Sequence, residues 1–300
     1  MSSFRSFFIF CLALALGAAP ATAQEKPLRV VASFTILADM VQTVGGSDVE
    51  GTSLVGPNGD AHTYQPTPTD VKKVAQADII IINGLHLEGW LSRLIDASGS
   101  KAKLLVASAG VRPRLMEEDG EQVVDPHAWQ DLSNGKIYVG NITAALIAAR
   151  PERKDVFTNR AETYIRQLVT LDKATKETIA ALPKNTRKII TDHDAFGYFA
   201  QAYGVKLMSP VGLSTEAEPS ASTLSALIKQ IKTEKIQTIF LENMASPRLM
   251  EQIAQETGAK VGGTLYADAL SEPSGDAPTY LAMFKHNVKL MIDSMKAQPN

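Results

Sequence analysis

Two stretches of the chain repeat one rhythm: a short β-branched run, a helical period, and a glycine that stops it. In the first, LRVVASF reads as a buried strand, TILADMVQTVG as a helix and VEGTSLVG as a strand. ADIIIING then reads as a strand, LEGWLSRLIDASG as a helix and AKLLVAS as a strand. The second runs RKIIT strand, AFGYFAQAYG helix, VKLMSPVG strand and ASTLSALIKQIKTE helix. It closes with IQTIFLEN strand, SPRLMEQIAQETG helix and KVGGTLYA strand. Such alternation specifies βαβ units and parallel sheets. IIIING and TIFLEN, each followed by a helix and a glycine stop, form a weak internal repeat. The expected fold is α/β, with two pseudo-symmetric lobes, each a parallel sheet flanked by helices.

Between the halves lies PERKDVFTNRAETYIRQLVTLDKATKETIAALP, where Phe157, Ala161, Tyr164, Ile165, Leu168, Leu171, Ile179 and Leu182 fall on one helical stripe. Pro151 suits a helix start and Pro183 a helix end. About 30 residues rising 1.5 Å each make a rod of roughly 45 Å, long enough to run along both lobes. The expected boundaries are an N-terminal lobe over 24–150, a connecting helix over 151–183 and a C-terminal lobe over 184–300.

Residues 1–23 read as an export signal. Arg5 supplies a positive start, FFIFCLALALG an apolar run too short to span a bilayer, and Ala21-Thr22-Ala23 a small-x-small cleavage pattern. The one cysteine, Cys11, lies inside that run without a small-residue lipobox before it, so the expectation is an exported chain that carries no lipid. The remainder has no cysteine for disulfides or thiolate ligands. A formal net charge of −2 and the lack of any basic stripe interleaved with aromatics exclude nucleic acid as a partner. No H-E-x-x-H, G-x-S-x-G or G-x-x-x-x-G-K-[ST] occurs, which removes the usual zincin, hydrolase and nucleotide readings.

The chemistry concentrates in four loops. His62 lies in VGPNGDAHTYQPTPTD, His127 in VVDPHAW, His193 in IITDHDAFGYF and Asp268 in LYADAL. All four are predicted near carboxyl ends of strands, two in each half, where open α/β sheets bind ligands. Three imidazoles and one carboxylate suit a tetrahedral Zn²⁺ site. Their wide separation in the chain is not itself a metal signature, and a solvated or hydrogen-bonded loop histidine is the alternative for each. Asp60, Asp125, Asp192 and Asp194 adjoin them as candidate carriers of a ligand's second N–H, or as helix caps. His86 reads as helix-start chemistry, His286 as surface, Trp90 and Trp129 as packing, and Glu117, Glu118, Asp119 and Glu121 as a solvated acidic loop. STEAEPSAS reads as a helix start.

From GPNGDAHTYQPTPTD through DPHAW, HDAFGYF and LYADAL, the sequence resembles the zinc- and manganese-binding family of ABC-transporter solute-binding proteins, over nearly all of the mature chain. The most specific motif is H-x-Y-x-P-T-P-x-D. The resemblance implies one metal ion per chain, held by His62, His127, His193 and Asp268. It further implies a monomer of the periplasm that hands its cargo to a membrane permease driven by a separate ATPase. Manganese members usually place Glu where His193 stands, and imidazole suits zinc, so Zn²⁺ is expected before Mn²⁺. Two other classes compete: an exported metallohydrolase, with Asp268 as base beside a three-histidine metal, and a metal-stapled scaffold.

Overall fold

In the computed structural model, which describes residues 26–118, 120–213, 215 and 219–298, the first rhythm builds a four-stranded parallel sheet. Its elements are β1 (Leu28–Ala32), α1 (Thr35–Gly45), β2 (Val49–Ser53), α2 (Pro68–Gln76), β3 (Ile79–Ile82), α3 (Leu91–Ser98) and β4 (Lys103–Val106), with strand order β2-β1-β3-β4. Leu28 faces Val49 across one side of β1, and Val30 faces Ile79 across the other. The run of four isoleucines in β3 is the mark of a strand covered on both faces, with helices supplying the cover.

The second rhythm gives β7 (Lys188–Ile190), α6 (Gly197–Tyr203), β8 (Lys206–Met208), α7 (Ala221–Thr233), β9 (Thr238–Glu242), α8 (Arg248–Thr257) and β10 (Lys260–Leu265). β7 pairs with β8 and β9 with β10, all parallel, and β7 packs beside β9. The resulting sequence of strands, β8, β7, β9, β10, repeats that of the first lobe. Helices α3, α6 and α8 stop on Gly99, Gly204 and Gly258 at φ 61°, 69° and 77°, the left-handed conformation that glycine adopts without strain. The expected α/β duplication is present.

Three elements escape the sequence reading. The acidic loop read as irregular forms an antiparallel hairpin, β5 (Leu115–Glu118) and β6 (Glu121–Val124), with Asp119 outside the described residues. Its apolar residues sit in adjacent pairs, Leu115-Met116 and Val123-Val124, so no alternation announces a strand. Helix α4 (Leu132–Ala149) buries Tyr138, Val139, Ile142 and Leu146 and shows no polar stripe because its exposed positions, Gly140, Ala144 and Ala148, carry small apolar residues. Helix α2 begins inside what reads as a turn-rich loop. Between the lobes, α5 (Lys154–Ala180) follows a 3-10 turn at Pro151–Arg153 and buries Phe157, Ala161, Tyr164, Leu168 and Ile179. It packs on α1 and α4 at one end, and on α6 and the last helix, α9 (Tyr280–Ala297), at the other.

One large core therefore crosses the lobe boundary. It runs from β1 and β3 through α4, α5 and α9 to Phe196, Phe199 and Phe240, while a smaller cluster around Ile231, Ile239 and Ile253 fills the outer layer of the second lobe. Phe284 sits at the crossing, with its ring centroid 5.9 Å from Phe199, 6.0 Å from Tyr203 and 6.3 Å from Tyr280. Phe284→Ala is expected to cost about 3–5 kcal/mol, the usual range for a buried aromatic truncated to a cavity. Urea unfolding followed by tryptophan fluorescence and by far-UV dichroism should give coincident transitions at lower denaturant. Separate transitions would show that the lobes do not share this core.

Candidate metal centre

The H-x-Y-x-P-T-P-x-D motif is a helix cap that holds a loop. Thr67 caps α2, and Asp70 accepts from the Thr67 backbone N–H at 2.9 Å, the Thr67 hydroxyl at 2.7 Å and the Tyr64 hydroxyl at 2.7 Å. Burial pushes the Asp70 carboxyl up, but these donors and Lys73 outweigh it and hold the group at about 2. Tyr64 leans its ring on Trp90, whose indole N–H donates to the carbonyl of Ala61 at 2.9 Å. His62 is the next residue, and its backbone N–H is held by Asp60 at 2.8 Å.

His127 and His193 are each clamped by a carboxylate at both backbone and ring. Asp125 Oδ1 accepts from the His127 backbone N–H at 3.0 Å and lies 2.8 Å from Nδ1, while its Oδ2 pairs with Arg114 at 2.6 Å. Burial works against the charge on Asp125, yet His127 and Arg114 keep the carboxyl below its ordinary range. In the second lobe Glu242, the last residue of β9, takes the backbone N–H groups of Asp192 at 3.0 Å and His193 at 3.2 Å on Oε1, and the His193 ring Nδ1 on Oε2. A carboxylate on Nδ1 fixes the tautomer that leaves Nε2 free to donate its lone pair. Asp268 follows β10, and the carbonyl of Ala267 before it accepts from Trp129 Nε1 at 2.9 Å and Gln130 Nε2 at 2.8 Å.

The four side chains meet. His62 Nε2 lies 3.1 Å from His127 Nε2 and 3.3 Å from Asp268 Oδ2. His193 Nε2 lies 3.3 Å from Asp268 Oδ2, and His127 Nε2 is 3.6 Å from Oδ1. All four donor atoms fall within 4.8 Å of one another. A tetrahedron of bonds ~2.0–2.1 Å long has edges of ~3.3 Å, close to the four contacts of 3.1, 3.3, 3.3 and 3.6 Å. Among the described residues, His193 Nε2 and both Asp268 oxygens are buried without a hydrogen-bond partner. Three buried polar atoms left unsatisfied around one point are what an ion at that point satisfies. Burial lowers the pKa of His193, but the charges of Glu242 and Asp268 outweigh it and raise the ring well above its ordinary value. Burial raises Asp268, and the His193 and His127 rings more than reverse this, holding the carboxyl well below the carboxylate range.

Other expectations are revised. Asp125 does take the second ring nitrogen of a candidate ligand, His127, whereas among the described residues Asp192 and Asp194 bond no ring nitrogen and each has an oxygen buried without a partner. Glu242 does that work for His193. Its signal was an acid ending the buried strand TIFLEN beside the strand that leads into His193. Trp90 and Trp129 do more than pack, since each indole N–H fixes the carbonyl before a candidate ligand. His286 is half-buried rather than on the surface, with Nε2 3.0 Å from the Thr264 carbonyl. His86 is exposed and outside the cluster. Glu118 accepts from the Leu213 backbone N–H at 3.1 Å, so it is not wholly solvated. In STEAEPSAS, Ser220 caps α7 as the helix-start reading expects; Ser214 and Glu216, Ala217 and Glu218 lie outside the described residues.

A family model described as zinc-uptake complex component A, periplasmic, matches residues 30–294. The manganese ABC transporter substrate-binding lipoprotein PsaA of Streptococcus anginosus is 32% identical, over 96% of this chain and 95% of its own. The iron ABC transporter substrate-binding lipoprotein MtsA of Streptococcus pyogenes serotype M1 is 32% identical, over 96% and 94%. Among solved structures, the periplasmic zinc binding protein TroA from Treponema pallidum superposes with a TM-score of 0.84 at 30% identity, over 90% of this chain and 99% of that one.

These relatives correct the expectation of an exported chain without lipid, because PsaA and MtsA are lipoproteins. The same kind of apolar export segment precedes lipidated and unlipidated proteins, so the surroundings of Cys11 were too slender a ground. Residues 1–23 and Cys11 lie outside the described residues.

Glu242→Gln is expected to weaken Zn²⁺ binding about 10–100-fold, the usual cost of losing the partner that orients a ligand histidine. Competition against a fluorescent chelator measures it. A change smaller than about threefold would show that the Nδ1 clamp does not orient the ligand.

Proposed function

This chain belongs to the family of periplasmic zinc-uptake component A, the metal-binding solute-binding proteins of ABC transporters, and we propose that it holds one divalent cation on His62, His127, His193 and Asp268, Zn²⁺ ahead of Mn²⁺. The cargo passes to a membrane permease powered by a separate ATPase. Because the family is one of binding proteins, the metallohydrolase and scaffold alternatives are set aside.

The observation that carries the proposal is a buried set of four donors with unsatisfied atoms facing a common centre. Four protein ligands leave no open position for a reactive water, which is the coordination of capture and not of hydrolysis. Three imidazoles support zinc, since nitrogen donors favour it over manganese. The second reading is Mn²⁺ or iron, favoured by the manganese and iron relatives PsaA and MtsA.

Competitive loading with Zn²⁺, Mn²⁺ and Fe²⁺, read by elemental analysis after dialysis, tests the metal. The expected result is about one Zn²⁺ per chain, with His193→Ala at least about tenfold weaker. Unchanged zinc content in His193→Ala would refute the assignment of that ligand.

Acidity supplies a second test. In the metal-free protein the raised pKa of His193 means that a cation must displace a proton from this ring, and protons compete up to that raised pKa. Affinity should therefore rise with pH and fall steadily as pH drops through the histidine range and below. Chelator competition from about pH 5 to about pH 8 measures it. A flat profile would exclude the imidazoles as ligands.

A further inference from the structure

By chain order the four donors divide evenly, His62 and His127 before the connecting helix and His193 and Asp268 after it. Their hydrogen bonds divide otherwise. The Asp268 loop leaves β10 in the second lobe but is fastened to the first. The Ala267 carbonyl accepts from Trp129 Nε1 at 2.9 Å and Gln130 Nε2 at 2.8 Å. The Leu270 N–H donates to the Thr35 hydroxyl at 2.8 Å, and the Leu270 carbonyl accepts from the Asn58 N–H at 3.0 Å. Between Ala267 and Leu270 the second lobe contributes Asn243, whose Nδ2 lies 3.2 Å from the Ala269 carbonyl. Tyr266, one residue earlier, is bonded to Asn287 on α9, and α9 itself begins on Asp39 of the first lobe at 2.9 Å.

Trp129 stands at the centre of this arrangement. Its ring lies 5.3 Å from that of His127 and 4.9 Å from Phe34, and its own carbonyl accepts from the Tyr280 hydroxyl. Trp129 and Gln130 are fully buried, as are Ala267 and Asp268. A buried carbonyl with two N–H donors has little freedom, and the peptide it belongs to aims the next side chain.

Resting on the metal-binding reading above, we infer that Trp129 and Gln130 are positioning residues that make Asp268 a ligand of the first lobe, so that only His193 is carried by the second. The site is then a three-donor cup of His62, His127 and Asp268, closed by one imidazole.

The test is the rate at which the full chain loses Zn²⁺ to an excess of chelator, for Trp129→Phe, Gln130→Leu, the double variant and Asn243→Ala. Phe keeps an aromatic ring of smaller size and removes the N–H. The double variant is expected to release Zn²⁺ at least about tenfold faster than wild type, and Asn243→Ala within about twofold of it. The thermal midpoint of the metal-free protein serves as the control, because a purely structural role lowers that midpoint and leaves the release rate unchanged. A double variant within about twofold of wild type overturns the inference, as does an Asn243→Ala release as fast as the double variant's. Should the double variant not fold, Gln130→Leu decides, with release at least about threefold faster than that of Asn243→Ala expected and equality overturning the inference. Wild-type protein that binds no Zn²⁺ would instead refute the metal-binding reading itself.

Discussion

A carboxylate sealed from water with neither oxygen hydrogen-bonded is among the costliest groups a protein interior can hold, and Asp268 is such a group. Around it stand three imidazole nitrogens, two of them facing each other at 3.1 Å. A proton on His193, favoured by the charges of Glu242 and Asp268, offsets part of this concentration of lone pairs in the metal-free state, and Asp125 stands as a further buried acid behind His127. A divalent charge at the centre would reverse the sign of this cost, and the frame around the centre must be stiff enough to keep the donors from collapsing on one another.

That stiffness comes from backbone atoms held by side chains. Two tryptophans hold the carbonyls before His62 and Asp268; two carboxylates hold the N–H groups of His127 and His193. The two clamps differ in one respect. Arg114 balances Asp125, whereas among the described residues no lysine or arginine pairs with Glu242. The first-lobe clamp therefore carries its own counter-cation, whereas in the second lobe the partner that balances Glu242 is the His193 ring itself.

What the sequence reveals and conceals follows from how far each interaction reaches along the chain. Strands such as Ile79–Ile82 and Thr238–Glu242 are legible because burial on both faces writes a continuous apolar run. The connecting helix is legible because its stripe separates packing from solvent. Helix α4 is hidden because its solvent face carries glycine and alanine instead of charge, and because Gly135, where a Cβ would come within 2.9 Å of the Tyr280 hydroxyl, looks like a breaker but is a point of close approach. The four donors stand out as loop histidines and an aspartate at strand ends, and resemblance groups them. Glu242 could not be found the same way: its partner lies 49 positions away, and the packing of β9 beside β7 brings the two together. Asp125, two residues from His127, was within reach.

The core shared across the lobes carries a consequence for how a cargo ion leaves. Two bodies joined by loose strands can swing wide and bathe their cleft in solvent. Here α5 and α9 bury their side chains in one hydrophobic mass that touches both sheets, so a wide swing would expose aromatic surface at prohibitive cost. Metal–nitrogen bonds are short, about 2 Å, and so are sensitive to small displacements of the donor. A slight tilt, too small to open a mouth, is then enough to change a tight grip into a loose one, and the exchange of ions becomes a matter of coordination number instead of access.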